Sequence, residues 1–262
     1  MKQLLWRLVF VLPVTLSAAA FADDVPGKFQ GIIGSRCDQQ QQMTPAECAD
    51  TQERAKAEGC IDEGERSWLH TRSYSIFCVG RRPIFVCPCS CFDAPTQIMT
   101  GTFSNPVWKD AKAVLSTDHV VSLVDAATLD GLVADPDSAW LARDLYYTTS
   151  GPEHPDLYVF QLSNGRELAV SQHHALLLSD GRVLTAKELA PRQELLSPTG
   201  EAVTITAISR RQAADGKVYN FLIRGESRAS HLVIAEGVIV GDTMWQGSWE
   251  NLVGEIAVRR RP

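Results

Sequence analysis

The stretch "DLYVFQLSNGRELAVSQ", Asp156 to Gln172, decides how this chain reads. Two apolar-rich runs flank Asn164-Gly165. Apolar residues at period two mark half-buried strands, and Asn-Gly is the favoured pair for a type I′ hairpin turn. The device repeats in "ALLLSDGRVLTAKEL", around Asp180-Gly181. "AVTITAIS" (202–209), "KVYNFLI" (217–223) and "HLVIAEGVIV" (231–240) read as three further strands. Strands this short and closely spaced predict an all-β domain of non-local pairing. Between Thr128 and Tyr147, Pro, Asp and Gly break the pattern, which predicts a surface insertion or a short helix. Nothing resembles a βαβ unit, a phosphate-binding glycine loop or a paired-carboxylate site.

Upstream the composition is different. Six cysteines, Cys37, Cys48, Cys60, Cys78, Cys87 and Cys89, fall within residues 23–90. That density predicts a disulfide framework of three bridges, in a module too small to build enough core alone. The fifteen pairings stay open. Thr44-Pro45-Ala46-Glu47 suits a helix start. "CPCSC" lacks a matching His/Cys set, so no metal and no cofactor is expected.

The first residues, "MKQLLWRLVFVLPVTLSAAAFADD", carry Lys2 and Arg7 around an apolar run that ends in small residues. This is the pattern of a secretory leader with an A-x-A site, cut after Ala22. The run is shorter than the roughly 18 residues a membrane span needs. An exported chain is expected, in a compartment that permits disulfides. Losing the two cations takes the formal charge from −6 to −8. An acidic chain without a basic stripe is not expected to bind nucleic acid. The terminal "RRRP" reads as a frayed tail.

Cys91 is the seventh cysteine, left over if the other six pair. It stands where the two compositions meet. Its thiol can attack the carbonyl of Ser90 through a five-membered ring, so proximity supplies much of the catalysis. The product is a thioester in place of the Ser90–Cys91 peptide bond. The departing nitrogen needs a proton, which a histidine supplies well. His173 and His174, just after the best hairpin, are placed to be presented by a β scaffold. His70, His119 and His154 have no motif around them and read as structural or exposed. On an extended strand Cys89 and Cys91 face the same side, so a bridge between them could hold Cys91 inactive until reduced.

These residues carry a resemblance to the Hint domain family of hedgehog C-terminal domains, inteins and bacterial intein-like proteins. "CFDAPTQIMTG" is similar to the family's opening block. "SQHH" resembles its T-x-x-H block, with Ser171 for threonine and His174 as the histidine. "KVYNFLI" is similar to the V-Y-[DN]-L strand, and "HLVIAEGVIVGD" to the closing block, which puts His231 at the late histidine. The likeness covers residues 91–242. It implies a horseshoe-like, pseudo-two-fold β domain in which Cys91 forms the thioester. His174 would protonate the leaving nitrogen, Ser171 would hold that histidine or the scissile peptide, and His231 would assist breakdown.

The chain departs from the family at its end. Gly241-Asp242 stands where splicing members have His-Asn, although Thr243 offers a hydroxyl. Asp242 is a poorer cyclising nucleophile than asparagine. The expected organisation is a leader (1–22), a Cys-rich module (23–90), a self-processing domain (91–242) and a short tail (243–262). The substrate would be the chain's own N-terminal segment. Water, a thiol, or an acceptor amine or hydroxyl would resolve the thioester. Three alternatives stay open: a non-cleaving scaffold, full splicing through Asp242 and Thr243, and a Cys91–His174 protease acting in trans.

Overall fold

The computed structural model describes residues 45–71, 76–79, 82–85, 91–152, 156–247 and 256–261. The first part is two helices, α1 (Pro45–Ala57) and α2 (Glu63–Thr71), and a hairpin of β1 (Ile76–Val79) with β2 (Arg82–Phe85). Helix α1 starts at Pro45, where proline's fixed φ and missing N–H are tolerated. Asp62 and Glu65 cap α2 reciprocally: each carboxylate accepts the other's backbone N–H at 2.8 Å. The Cys60–Cys78 disulfide ties this small core of Ala55, Ile61, Leu69 and Ile76 together. It is one of the three bridges expected. Cys37, Cys87, Cys89 and the Cys48 side chain lie outside the described residues, as do Ser90 and His154; Cys91 carries a thiol, so the bridge to Cys89 that the sequence allowed is not formed in this structure.

The rest is β, as expected. The strands are β3 (Phe92–Asp93), β4 (Gln97–Thr102), β5 (Asn105–Asp110), β6 (His119–Leu123), β7 (Trp140–Pro152), β8 (Leu157–Leu162) and β9 (Glu167–Val170). There follow β10 (Ala175–Leu177), β11 (Val183–Thr185), β12 (Glu194–Leu196), β13 (Ala202–Arg211), β14 (Lys217–Ile223), β15 (Leu232–Ala235) and β16 (Val238–Gly241). They join one sheet in the order β11-β10-β16-β15-β4-β6-β7-β14-β3-β9-β8-β13-β12, with β5 beside β4. Its centre is the antiparallel β7–β14 ladder, from Lys217 opposite Pro152 to Ile223 opposite Leu145. One core gathers Phe92, Ile98, Phe160 and Phe221, another Leu123, Trp140, Trp245 and Val258. The segment after Thr128 holds the short helix α3 (Leu129–Ala134), and the long β7 then takes over from Trp140.

The hairpins stand where the sequence puts them, but their turns differ. Gly165 has φ +80°, while Asn164 keeps a negative φ. The Gly165 N–H donates to the Leu162 carbonyl at 3.0 Å, which makes a type I turn followed by a left-handed glycine. Asn164 is held by its side chain: Oδ1 accepts from the Arg166 N–H at 3.0 Å and Nδ2 donates to the Glu236 carbonyl at 3.1 Å. Asp180-Gly181 repeats this arrangement. The two-residue turn with positive φ at both positions lies instead at Glu236-Gly237, which splits "HLVIAEGVIV" into β15 and β16. Glutamate tolerates the left-handed region because its carboxylate takes the Gln97 N–H at 2.7 Å and pairs with Arg166 at 3.4 Å.

The C-terminal arginines are not frayed. Val258 is fully buried, Leu129 N–H donates to the Arg259 carbonyl at 3.0 Å, and Arg261 N–H donates to Asp130 at 2.8 Å. Main-chain bonding to α3 and one buried valine hold residues 256–261 down, whatever the charge of their side chains. Among the described residues no helix is long and apolar enough to cross a membrane.

Candidate functional site

Cys91 leads into β3. Phe92 pairs with Val170 at the end of β9 and with Tyr219 on β14. Strand β3 is thus wedged between the best hairpin and the central ladder. Cys91 is a fully buried thiol that packs with Leu157, Val218 and half-buried Ala213.

Its backbone is gripped by Ser171. The Cys91 N–H donates to Ser171 Oγ at 2.8 Å, and the Ser171 N–H donates to the Cys91 carbonyl at 3.0 Å. The Cys91 nitrogen is the leaving atom of the Ser90–Cys91 bond, so the hydroxyl bonds directly to the atom that would depart. "SQHH" forms a tight turn after β9: the His174 N–H donates to the Ser171 carbonyl at 3.0 Å. The turn aims His174 inward and leaves His173 half-buried. The imidazole of His174 is fully buried and lies 4.3 Å, centroid to centroid, from the ring of Phe92. Burial among apolar groups pushes its pKa down to about 3, so at neutral pH it is an uncharged imidazole. Ser171 is thus hydrogen-bonded to Cys91, and His174 packs on Phe92, the residue next to it.

The late residues form a second group. His231 Nδ1 lies 2.7 Å from Asp242 Oδ2, and both side chains are fully buried. The same oxygen accepts the Ile223 N–H at 3.0 Å, and the other carboxylate oxygen accepts the Met244 N–H at 2.8 Å. Thr243 Oγ1 donates to the Phe221 carbonyl at 2.8 Å. This group sits at the far end of β14. From Val218, against Cys91, to Phe221 is three residues, about 10 Å of strand. Gly241 is dictated by packing: a Cβ there would lie 2.6 Å from Trp245 Cβ and 2.7 Å from that of Ala175. A histidine has no room at this position.

Two residues near the thiol escape the sequence reading. Asp93 is fully buried, and one carboxylate oxygen accepts the N–H groups of Ala94 at 2.9 Å and Ala214 at 2.8 Å. The other oxygen pairs with Arg211, which also reaches Glu167 at 3.1 Å. An acid inside the apolar opening of a strand was the available signal. Of the other histidines, His119 is exposed beside Asp144, at 3.0 Å, and His70 is exposed on α2. Among the described residues no group of His, Cys, Asp and Glu is arranged to hold a metal ion.

No family model and no curated protein matches the chain. Solved structures similar to it include the bacterial intein-like domain from Clostridium thermocellum, at 17% identity over 58% of this chain and 97% of that one, TM-score 0.45. The DnaB intein from Synechocystis sp. PCC 6803 is similar at 15% identity, over 58% and 98% of the two chains, TM-score 0.45. The gp41-1 intein is similar at 15%, over 58% and 98%, TM-score 0.43. These are likenesses of fold at low identity; the chemistry rests on the residues at the junction.

Proposed function

We propose that the chain processes itself. The Cys91 thiol attacks the Ser90 carbonyl, its proton passes to the neutral His174, and the Ser90–Cys91 C–N bond breaks. His174 then hands that proton to the departing nitrogen, which becomes the amine of Cys91, and Ser90 is left as a thioester on the sulfur. A buried imidazolium is a strong acid, which suits protonation of an amide nitrogen. Ser171 holds that nitrogen throughout. Water, a thiol, or an amine or hydroxyl acceptor then takes the Ser90 acyl group and returns the thiol.

The reading keeps the predicted organisation: a leader cut after Ala22 for export, a released module of residues 23–90, and a processing domain of residues 91–242. The observation that carries it is the 2.8 Å hydrogen bond from the Cys91 N–H to Ser171 Oγ. Processing on one side only is supported by the residues after Asp242. Met244 and Trp245 are buried in the core, and Trp245 Nε1 donates to the Arg228 carbonyl at 3.1 Å. Splicing would cut these residues away from the domain they help to fill.

The full burial of Cys91 favours a second reading, a non-cleaving scaffold that carries an exported module. One experiment separates the two. The chain from Asp23 is incubated with hydroxylamine and its fragments are weighed by mass spectrometry. Self-processing gives a fragment ending at Ser90 in wild type and none in Cys91→Ala, at a rate independent of protein concentration. Rate growth with concentration would point to a protease acting in trans, a join between Ser90 and Thr243 to splicing, and an intact wild-type chain to the scaffold.

A further inference from the structure

We infer that the loop of residues 212–216 covers the Cys91 thiol and that Asp93 and Arg211 latch it, so that this latch selects small nucleophiles over bulky ones. The inference rests on the processing function proposed above.

The loop joins β13 to β14, and Gly216 turns it with φ +72°. Ala213 is its inward residue and packs against Cys91, Leu157 and Val218, while residues 212 and 214–216 are exposed. The loop is pinned at two points. Its middle is held by the Ala214 N–H on the buried carboxylate of Asp93, two residues from the nucleophile. Its end is held by Asp215, which accepts from Tyr219 Oη at 2.7 Å and from the Lys217 N–H at 3.1 Å.

Arg211, at the loop's start, neutralises Asp93 from the solvent side and braces itself on Glu167. A buried carboxylate without its cation is costly. Removing Arg211 therefore loosens Asp93 and with it the Ala214 tether. The Asp215 hinge stays in place, so the loop swings rather than unfolds.

In the resolving step a nucleophile's lone pair adds to the Ser90 carbonyl carbon and the C–Sγ bond breaks. The sulfur leaves with the electron pair and takes the proton the nucleophile gives up. A small, uncharged nucleophile needs only a breath of the loop to arrive. A bulky thiol needs the loop displaced, and a local opening of this kind has a free energy set by the contacts that hold it.

The test measures access to the thiol directly. Uncleaved full chain, wild type and Arg211→Ala, is alkylated with iodoacetamide or with a maleimide carrying a polyethylene glycol chain, and Cys91 is followed by peptide mapping. The bulky-to-small rate ratio is expected to rise about tenfold in Arg211→Ala and to return towards wild type in Arg211→Lys, since losing one charge-assisted tether is worth about that factor. An unchanged ratio overturns the latch, whether or not the chain cleaves. Arg211→Met keeps the aliphatic stem and replaces alanine if that variant fails to fold. In parallel, release by glutathione is compared with release by hydroxylamine, and the variant's glutathione rate is expected to gain about tenfold on the other. A ratio that rises on alkylation, in a chain that neither nucleophile cleaves, sinks the processing reading and leaves the latch standing.

Discussion

The two ends of β14 make an instructive pair. Near Val218 the Cys91 thiol lies against an apolar wall, with the Ser171 hydroxyl on the Cys91 amide and the buried His174 imidazole against the neighbouring Phe92. Near Phe221 and Ile223 a histidine, an aspartate and a threonine converge, and their hydrogen bonds run into the fold itself. In the first arrangement the hydroxyl holds the amide of the buried thiol's own residue. The second is a clamp. Sequence motifs alone give both ends the look of a reaction site; what differs is the pairing, one hydroxyl on one amide at the first and a carboxylate shared between an imidazole and two backbone N–H groups at the second.

Breaking the upstream end should have the larger effect. His174→Gln keeps a polar, uncharged side chain and removes proton transfer, so hydroxylamine-dependent release should slow about 10²- to 10⁴-fold, read as fragment against time. If release persists, the proton comes from elsewhere. At the downstream end, Trp245→Ala should destabilise the domain by about 3–5 kcal/mol in denaturant titrations. The release rate of the folded fraction should not change. A changed rate would mean the two ends are coupled.

A smaller effect lies in acid stability. His174 has a pKa of about 3 in the fold and near 6.5 unfolded, so between these values only the unfolded chain takes up the proton. Stability from this group is complete above about pH 6.5 and falls by about 1.4 kcal/mol per unit as the pH drops towards 3. Unfolding midpoints measured across that window should fall less steeply in His174→Gln. The gentlest test is Ser171→Ala, expected to slow release about tenfold through one lost hydrogen bond, with Ser171→Thr within about threefold of wild type. Equal rates for serine and alanine would demote the hydroxyl to a local turn feature.

Much of this was legible before any coordinates. The 157–170 hairpin and the 217–223 strand appear at the residues read from alternation, because period two is a local property of the chain. The turn that holds Ser171 and His174 was legible because four residues fix their spacing. Turn types were not, because a side chain tethered elsewhere overrides local preference: Asn164 is tied to Glu236 and keeps an ordinary φ, while Glu236 is tied to Gln97 and does not. The C-terminal residues were misread for a similar reason. Their arginines signal a solvated tail, and only the pocket that receives Val258 overrules them.

From the chain alone follow the β class, the change of character at Cys91 and the identity of the thiol, hydroxyl and imidazole, since all three depend on composition and near-neighbour spacing. Tertiary structure alone decided that the hydroxyl reaches the Cys91 nitrogen, that the imidazole is buried, that Asp93 pairs with Arg211, and that Asp242 holds His231 and two backbone N–H groups. The first and third are contacts between residues dozens of positions apart, and only packing brings such residues within a hydrogen bond of one another.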